Sequence, residues 1–351
     1  MKTIHDFLPI SKEDLLDREW YYYDFLLITG DAYVDHPSFG TAIISRVLED
    51  LGFRVAILAQ PDWKNLDSFT ALGKPRYGVL VNGGNIDSMV AHYTAARKRR
   101  HDDAYSPGRK AGLRPDRATI VYGNKVREVW GDIPLIIGGL EASLRRFAHY
   151  DYWEDKVRRS ILLDAQADLL IYGMGERAVA DIAKALAAGT PVREITDVKG
   201  TCFLAKDPAA CHYPSLTVAS YEAVCQSKKA YAEANLVEYD EHDPIRGKAV
   251  IQPHGDRYLI ANPPAMPLTT AELDHVAELP YMREPHPVYD QPSPAVNPYR
   301  QPAPDTTATL PAQDATASQP EPETAYHQAS PLPYNPPQET DKYIPVNEME
   351  S

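Results

Sequence analysis

The chain has 351 residues, 44% of them hydrophobic, and a formal net charge of -13. That length allows two domains or one large domain with appendages, and that charge excludes general nucleic-acid or anionic-membrane binding by the whole chain, though not a local basic patch. Cys202, Cys211 and Cys225 are too few and odd in number for a disulfide framework, so the chain reads as cytoplasmic with free thiols.

Residues 1–19 form an arm of alternating charge with no apolar run, so no leader is expected. Residues 25–29 read as the first strand. In 39–51 the apolar residues Ile43, Ile44, Val47, Leu48 and Leu51 recur at helical spacing, and Gly52 ends that helix. Strands follow at 55–59 and 77–81. A polar insertion runs over 95–116, a length that in a compact domain is functional or mobile. Further strands are predicted at 119–122, 134–137 and 169–172, and a helix over 177–188 closed by Gly189. The strand runs are continuously apolar, which means burial on both faces, and their alternation with helices means a parallel sheet covered on both sides. Residues 20–200 are therefore expected to be a Rossmann-like, doubly wound α/β domain.

Residues 201–289 read as a less regular α+β extension. It has a helix over 221–236, short strands at 250–251 and 258–260 paired around Pro253-His254-Gly255, and a helix over 268–279 capped by Thr269 or Thr270. Residues 291–351 hold 13 of the 31 prolines and no glycine. A segment so poor in large aliphatics cannot offset about 1–2 kcal/mol per residue of backbone ordering, so 290–351 is expected to be a disordered tail. No run approaches the ~18 apolar residues of a membrane span, so no membrane partner is expected.

Four polar or glycine-rich turns fall at predicted strand ends: Thr29-Gly30-Asp31, Asn82-Gly83-Gly84-Asn85, Gly138-Gly139-Leu140-Glu141 and Gly173-Met174-Gly175-Glu176. In a doubly wound sheet such turns share the ligand-binding edge, where glycine lets backbone approach a ligand and helix N-termini offer N–H groups; the edge reads as a ligand or domain-docking site, or as the ordinary glycine preference of strand-to-helix turns. The candidate crevice residues are Gly30, Asp31, Asn82, Gly83, Gly138, Gly139, Glu141, Gly173, Gly175 and Glu176, with Asp35 and His36 from Asp35-His36-Pro37-Ser38-Phe39-Gly40. His36 is either a ligand to a metal or a corrin cobalt, or a structural histidine near a helix start. Arg97-Lys98-Arg99-Arg100 opens the insertion, followed by Arg109, Lys110, Arg114 and Arg117 and flanked by Tyr93 and Tyr105. It reads as a phosphate or RNA clamp or as a solvated loop, with Asp102, Asp103 and Asp116 weakening the first. The polar and aromatic stretch 141–160 is either a buried network or a site wall. The cysteine spacings of 9 and 14 are not those of an iron–sulfur loop, and the three thiols read as structural.

These motifs resemble one family. The segment from Gly30 to Gly40, Gln60-Pro61-Asp62-Trp63, Asp102-Asp103-Ala104-Tyr105-Ser106-Pro107-Gly108 and above all the stretch from Gly138 to Trp153 are similar to the N-terminal region of the YgiQ family of bacterial radical SAM proteins. Asn262-Pro263-Pro264 and Pro285-His286-Pro287 continue the resemblance, which covers roughly 5–289. It implies an iron–sulfur, S-adenosylmethionine-dependent enzyme of unstated substrate. In that family a following barrel carries a C-x-x-x-C-x-x-C loop that binds a [4Fe-4S] cluster. This sequence has no such loop, so no resident cofactor is expected in it. Three origins fit that ending: a truncated or frameshifted gene, a deleted barrel joined to a tail, or a stand-alone domain. The tail's balanced composition favours the second. The sheet also resembles the cobalamin-binding domains beside some radical SAM barrels. Their D-x-H-x-x-G pattern is matched by Asp35 and Gly40, but His36 stands one position early, which puts axial ligation in doubt. A stand-alone module for cobalamin or a nucleotide is the second reading, and an RNA- or protein-docking domain through 97–117 the third.

Overall fold

A computed structural model describes residues 6–290. The tail expected over 290–351 lies, from residue 291 on, outside the described residues.

The core is one mixed sheet of nine strands: β1 Phe25–Thr29, β2 Val55–Ala59, β3 Gly78–Asn82, β4 Leu135–Gly138, β5 Leu169–Ile171, β6 Thr201–Ala205, β7 Ser215–Thr217, β8 Ala249–His254 and β9 Arg257–Ala261. Their spatial order is β7-β8-β9-β6-β5-β4-β3-β1-β2. The five strands β1 to β5 are parallel and lie in the order 2-1-3-4-5. β6 joins antiparallel to β5, β9 antiparallel to β6, and β8 antiparallel to β9. The segments that the sequence separates at 200/201 thus share one sheet, because a strand beyond the boundary pairs with β5.

Successive residues of the parallel strands feed two apolar layers, as a pleated strand requires. Leu26, Ile28, Val79, Val81, Leu135 and Ile137 pack on one side with Tyr122 and Val126. Phe25, Leu27, Leu80, Ile136 and Ile171 pack on the other with Leu48, Val179 and Ile182. The second layer is closed by the helices Gly40–Asp50 and Glu176–Ala187, which lie against each other.

Residues 119–122, read as a strand, are instead the first turn of the helix Ala118–Trp130. The β-branched run Thr119-Ile120-Val121 misled a short window. The buried residues Ala118, Tyr122 and Val126 recur every four positions, a helical face that a longer window shows. The helix read over 221–236 is broken in two at Ser227, which caps Lys228–Asp240 through its hydroxyl just as Ser220 caps Tyr221–Gln226. Strands β8 and β9 pair around Gly255, and Thr269 with Glu272 forms a capping box on Thr270–Glu278.

The N-terminal arm folds onto the sheet. Phe7 and Leu8 are buried with Tyr33 and Ile57, and the Ile57 N–H on the outer edge of β2 donates to the Pro9 carbonyl at 2.8 Å. The far end of the described chain returns to the same place. Glu284–Pro285 pairs antiparallel with Val34–Asp35, and the Tyr33 N–H donates to the Tyr289 hydroxyl at 2.8 Å.

Candidate functional site: a crevice at the strand ends

A cavity of about 380 Å³ opens at the carboxyl ends of β1, β3, β4 and β5. Leu27, Leu80, Ile136 and Ile171 form its floor, Ile43 and Ile44 one wall, and the turns at Gly138-Gly139-Leu140 and Gly173-Met174-Gly175 the rim. The rim is apolar as well, for Leu140 and Met174 are exposed. Gly139 and Gly173 hold positive φ angles of 79° and 71°, so both turns need residues without a Cβ to pass over the cavity. Asn82, Asn85 and Glu176 are its polar groups. Asn82 is fixed: its Oδ1 accepts from the Thr29 hydroxyl and the Gly84 N–H, both at 2.9 Å. Oε2 of Glu176, at the first position of its helix, is buried without a hydrogen-bond partner. Among the described residues, no lysine or arginine lines this cavity.

Of the candidates read from sequence, Asn82, Gly138, Gly139, Gly173, Gly175 and Glu176 meet here. The others do not. Gly30, Asp31 and Gly83 belong to a solvent-free knot around Arg114, whose side chain is fully buried. Arg114 pairs with Asp31 at 2.8 Å, with Asp103 at 2.9 Å and with the Gly83 carbonyl at 3.0 Å. Burial outweighs the guanidinium and pushes the Asp31 carboxyl up to about 6. A Cβ on Gly30 would collide with the Gly83 carbonyl, and one on Gly84 with Asp31 and Arg114. Gly30 and Gly83 therefore serve the close packing of two loops rather than the approach of a ligand, while Gly84 does so at the edge of the cavity.

Asp35 is equally committed. Fully buried, it pairs with Arg46 and accepts the Met282 N–H at 3.1 Å, joining the first loop to the end of the described chain. His36 lies outside the crevice, and its Nδ1 accepts the Ser38 N–H at 3.0 Å. Glu141 is also buried, and caps two helices at once: Oε2 accepts from Ser88 N–H and Oε1 from Thr119 N–H, both at 2.9 Å. In the basic loop, Arg109 pairs with Asp102 and Arg117 with Asp151 and Glu154, while Arg97, Lys98, Arg99 and Arg100 stay exposed.

The crevice floor escaped the sequence reading. Its residues come from four strands, and only the pairing register places Leu27, Leu80, Ile136 and Ile171 on one face. The Arg114 knot escaped as well: Arg114 and Asp103 look like any solvated charges until the fold buries them.

The thiols do not fit an iron–sulfur cluster. Cys202 is fully buried within β6, and burial pushes it up to about 12. The Cys211 thiol donates to the Tyr213 carbonyl, and the exposed Cys225 faces the Val157 carbonyl. Among the described residues, no three histidine, cysteine or acidic side chains gather as a metal site.

A family model described as Radical SAM N-terminal matches residues 7–301. The chain belongs to this family. Within it, a UPF0313 protein of Clostridium botulinum (strain ATCC 19397 / Type A) is 58% identical over 285 residues, which cover 81% of this chain and 44% of that protein. A UPF0313 protein of Clostridium perfringens (strain 13 / Type A) is 52% identical, covering 81% and 43%. The chain is thus an N-terminal region of a YgiQ-like radical SAM protein, and it spans less than half the length of these relatives. Among solved structures, the radical S-adenosylmethionine methyltransferase TsrM from Kitasatospora setae, with cobalamin and a [4Fe-4S] cluster bound, is 20% identical with a TM-score of 0.33, covering 52% of this chain and 27% of that one. A likeness that loose carries no argument about the ligand of this family member. No helix among the described residues is long and apolar enough to cross a membrane.

Proposed function

We propose that this chain is the ligand-holding, non-catalytic portion of a YgiQ-like radical SAM enzyme. The iron–sulfur and S-adenosylmethionine chemistry expected of the family would reside in residues other than these, since the three thiols cannot converge on a cluster. The reading rests on the crevice. Strand order 2-1-3-4-5 is that of a doubly wound sheet, which receives ligands where the order reverses, here between β1 and β3. The cavity opens beside that point, over the carboxyl ends of β3, β4 and β5 with Leu27 of β1 at its edge.

Its lining favours a flat, largely apolar ligand with hydrogen-bonding edges. The aliphatic floor takes up a ring face, and the glycine turns admit it to backbone N–H groups. The absence of a lining cation, with Glu176 present, disfavours a phosphate-bearing nucleotide. A corrin meets those terms through its ring face and amide edge, with the phosphodiester of its own side loop left outside the cavity. Leu27, Ile136 and Ile171 would exclude water beneath it, and Asn82, Asn85 and Glu176 would orient its amide edge. His36 is outside the cavity, so this chain offers no imidazole to a corrin metal from that position.

Hydroxocobalamin titration followed by absorbance and gel filtration tests the reading. Retained corrin, weakened at least tenfold by the crevice-filling Gly138→Phe and unaffected by equimolar ATP, supports it. Corrin that elutes free overturns the corrin assignment. In parallel, anaerobic reconstitution with iron and sulfide is expected to leave the chain without a stoichiometric cluster, and about four irons per chain would refute the non-catalytic assignment.

A further inference from the structure

The fold separates seven cations of the 97–117 insertion into two groups. Arg109, Arg114 and Arg117 are each neutralised by carboxylates. Arg97, Lys98, Arg99 and Arg100 are exposed, and none makes an ion pair among the described residues. These four sit on a built turn. The Arg97 N–H donates to the Thr94 carbonyl and the Thr94 N–H to the Lys98 carbonyl, both at 2.9 Å, and the Arg100 N–H donates to the His92 carbonyl at 2.7 Å. Tyr93 and Arg99 bridge as in an antiparallel ladder.

Arg97 holds a φ of 59° at the tip, a conformation that glycine adopts at less cost. An arginine there presents its charge at the cost of backbone strain. Its guanidinium lies 4.5 Å over the ring of Tyr152, which is 43% exposed and donates its hydroxyl to the Ala95 carbonyl at 2.8 Å. Tyr152 packs edge-on to Trp153, and Tyr150 beside it is 48% exposed. Of the nearby carboxylates, Glu154 is paired with Arg117 and Arg158, while Asp116 accepts from Tyr93 and faces His92, and Asp155 accepts from the Tyr150 hydroxyl, so two acidic groups border the surface.

Exposed cations beside partly exposed aromatic rings are the two elements that hold a single-stranded nucleic acid, one for its phosphates and one for its bases. We propose that the 93–100 turn and the Tyr150–Tyr152 shelf form a docking surface for single-stranded nucleic acid. The chain's net charge of -13 disfavours extended contact with a polyanion, so binding is expected to involve this patch and a few nucleotides. This inference is independent of the crevice.

The test is fluorescence anisotropy of labelled oligouridylate and oligodeoxythymidylate with the full chain, over a range of KCl concentrations. The expected result is saturable binding whose log affinity falls linearly with log salt. Each phosphate contact contributes about 0.7 to that slope. Arg97→Ser with Arg99→Ser lowers the slope by about 1.4 on this basis. Tyr152→Ala weakens binding by about 5- to 150-fold through lost stacking, without changing the slope, and Tyr152→Phe keeps the affinity. All are surface changes, with unfolding temperatures near wild type as the control. Tighter binding of the uridylate marks RNA as the ligand, and equal binding marks either strand chemistry. No binding at low salt, unchanged affinity in the double variant, or equally strong competition by polyglutamate, which would mark an acidic protein surface, overturns the proposal.

Discussion

Arg114 holds two carboxylates and a carbonyl in a space closed to water. Substituting it leaves Asp31 and Asp103 buried without their cation, a loss of about 3–5 kcal/mol for a broken buried pair. Arg114→Met is therefore expected to lower the urea midpoint sharply, and a midpoint within error of wild type would show that water already reaches the knot. Glu238 is a second residue whose burial decides its behaviour. Its Oε1 has no hydrogen-bond partner, and burial, only partly countered by Arg146, pushes the carboxyl up to about 8. The folded carboxyl holds its proton more tightly than the unfolded one. Its contribution to stability is thus full below the ordinary carboxylate range and is lost as pH rises through about 8. Glu238→Gln should raise the unfolding temperature at pH above 8 and leave it nearly unchanged at pH near 4. Equal shifts at both pH values would mean that the charge plays no part.

At the scale of elements, Glu141 does the work of two caps. Its carboxylate serves the N-termini of Ser88–His92 and Ala118–Trp130, two helices that are separate in sequence. Glu141→Ala leaves two buried N–H groups without acceptors, at about 1–3 kcal/mol each. Glu141→Gln keeps one acceptor and should cost about half as much by chemical denaturation; equal costs would point to lost charge rather than lost caps. This shared cap also explains why the 119–122 strand expectation failed. Thr119 needs an acceptor for a helix N-terminus, and the acceptor comes from a turn beyond the next strand. The sequence does show Glu141 inside a glycine turn, but nothing local says that it points back to Thr119. The same holds for Ser227, whose capping hydroxyl was visible only as one residue in a run of helix formers.

At the scale of the molecule, the described chain closes on itself. Asp35 ties Arg46 to the Met282 N–H, and the paired segments Val34–Asp35 and Glu284–Pro285 seal the junction with Tyr33, Phe7 and His286. A chain ending after residue 281 should lose hydrogen-exchange protection at Ile57, Tyr33 and residues 34–35 ahead of β3 and β4. Uniform loss across the sheet would show that the clasp is part of the global core instead. His286 in this junction is buried and held down to about 4, so it remains neutral in the fold. Its share of stability is present above the usual histidine range and is lost as pH falls through about 4.

The sequence by itself determined the parallel-strand segments, most helices with their stops, the family, and the absence of a cluster loop. Each is written in local pattern: continuous apolar runs, 3.6-residue periodicity, capping residues and spaced cysteines. The glycine turns were legible too, but not their division of labour. Gly30 and Gly83 look like Gly139 and Gly173 in sequence, yet two meet another loop and two arch over a cavity. Asp31, Asp35 and Glu141 likewise look like site acids, and the fold spends all three on buried N–H groups and guanidinium ions. Only the tertiary structure decided these roles, because burial and pairing are set by residues in other elements, from 11 to 247 positions away. It also decided which cations lack an ion pair among the described residues: Arg97 to Arg100 do, whereas Arg109, Arg114 and Arg117 are paired with carboxylates.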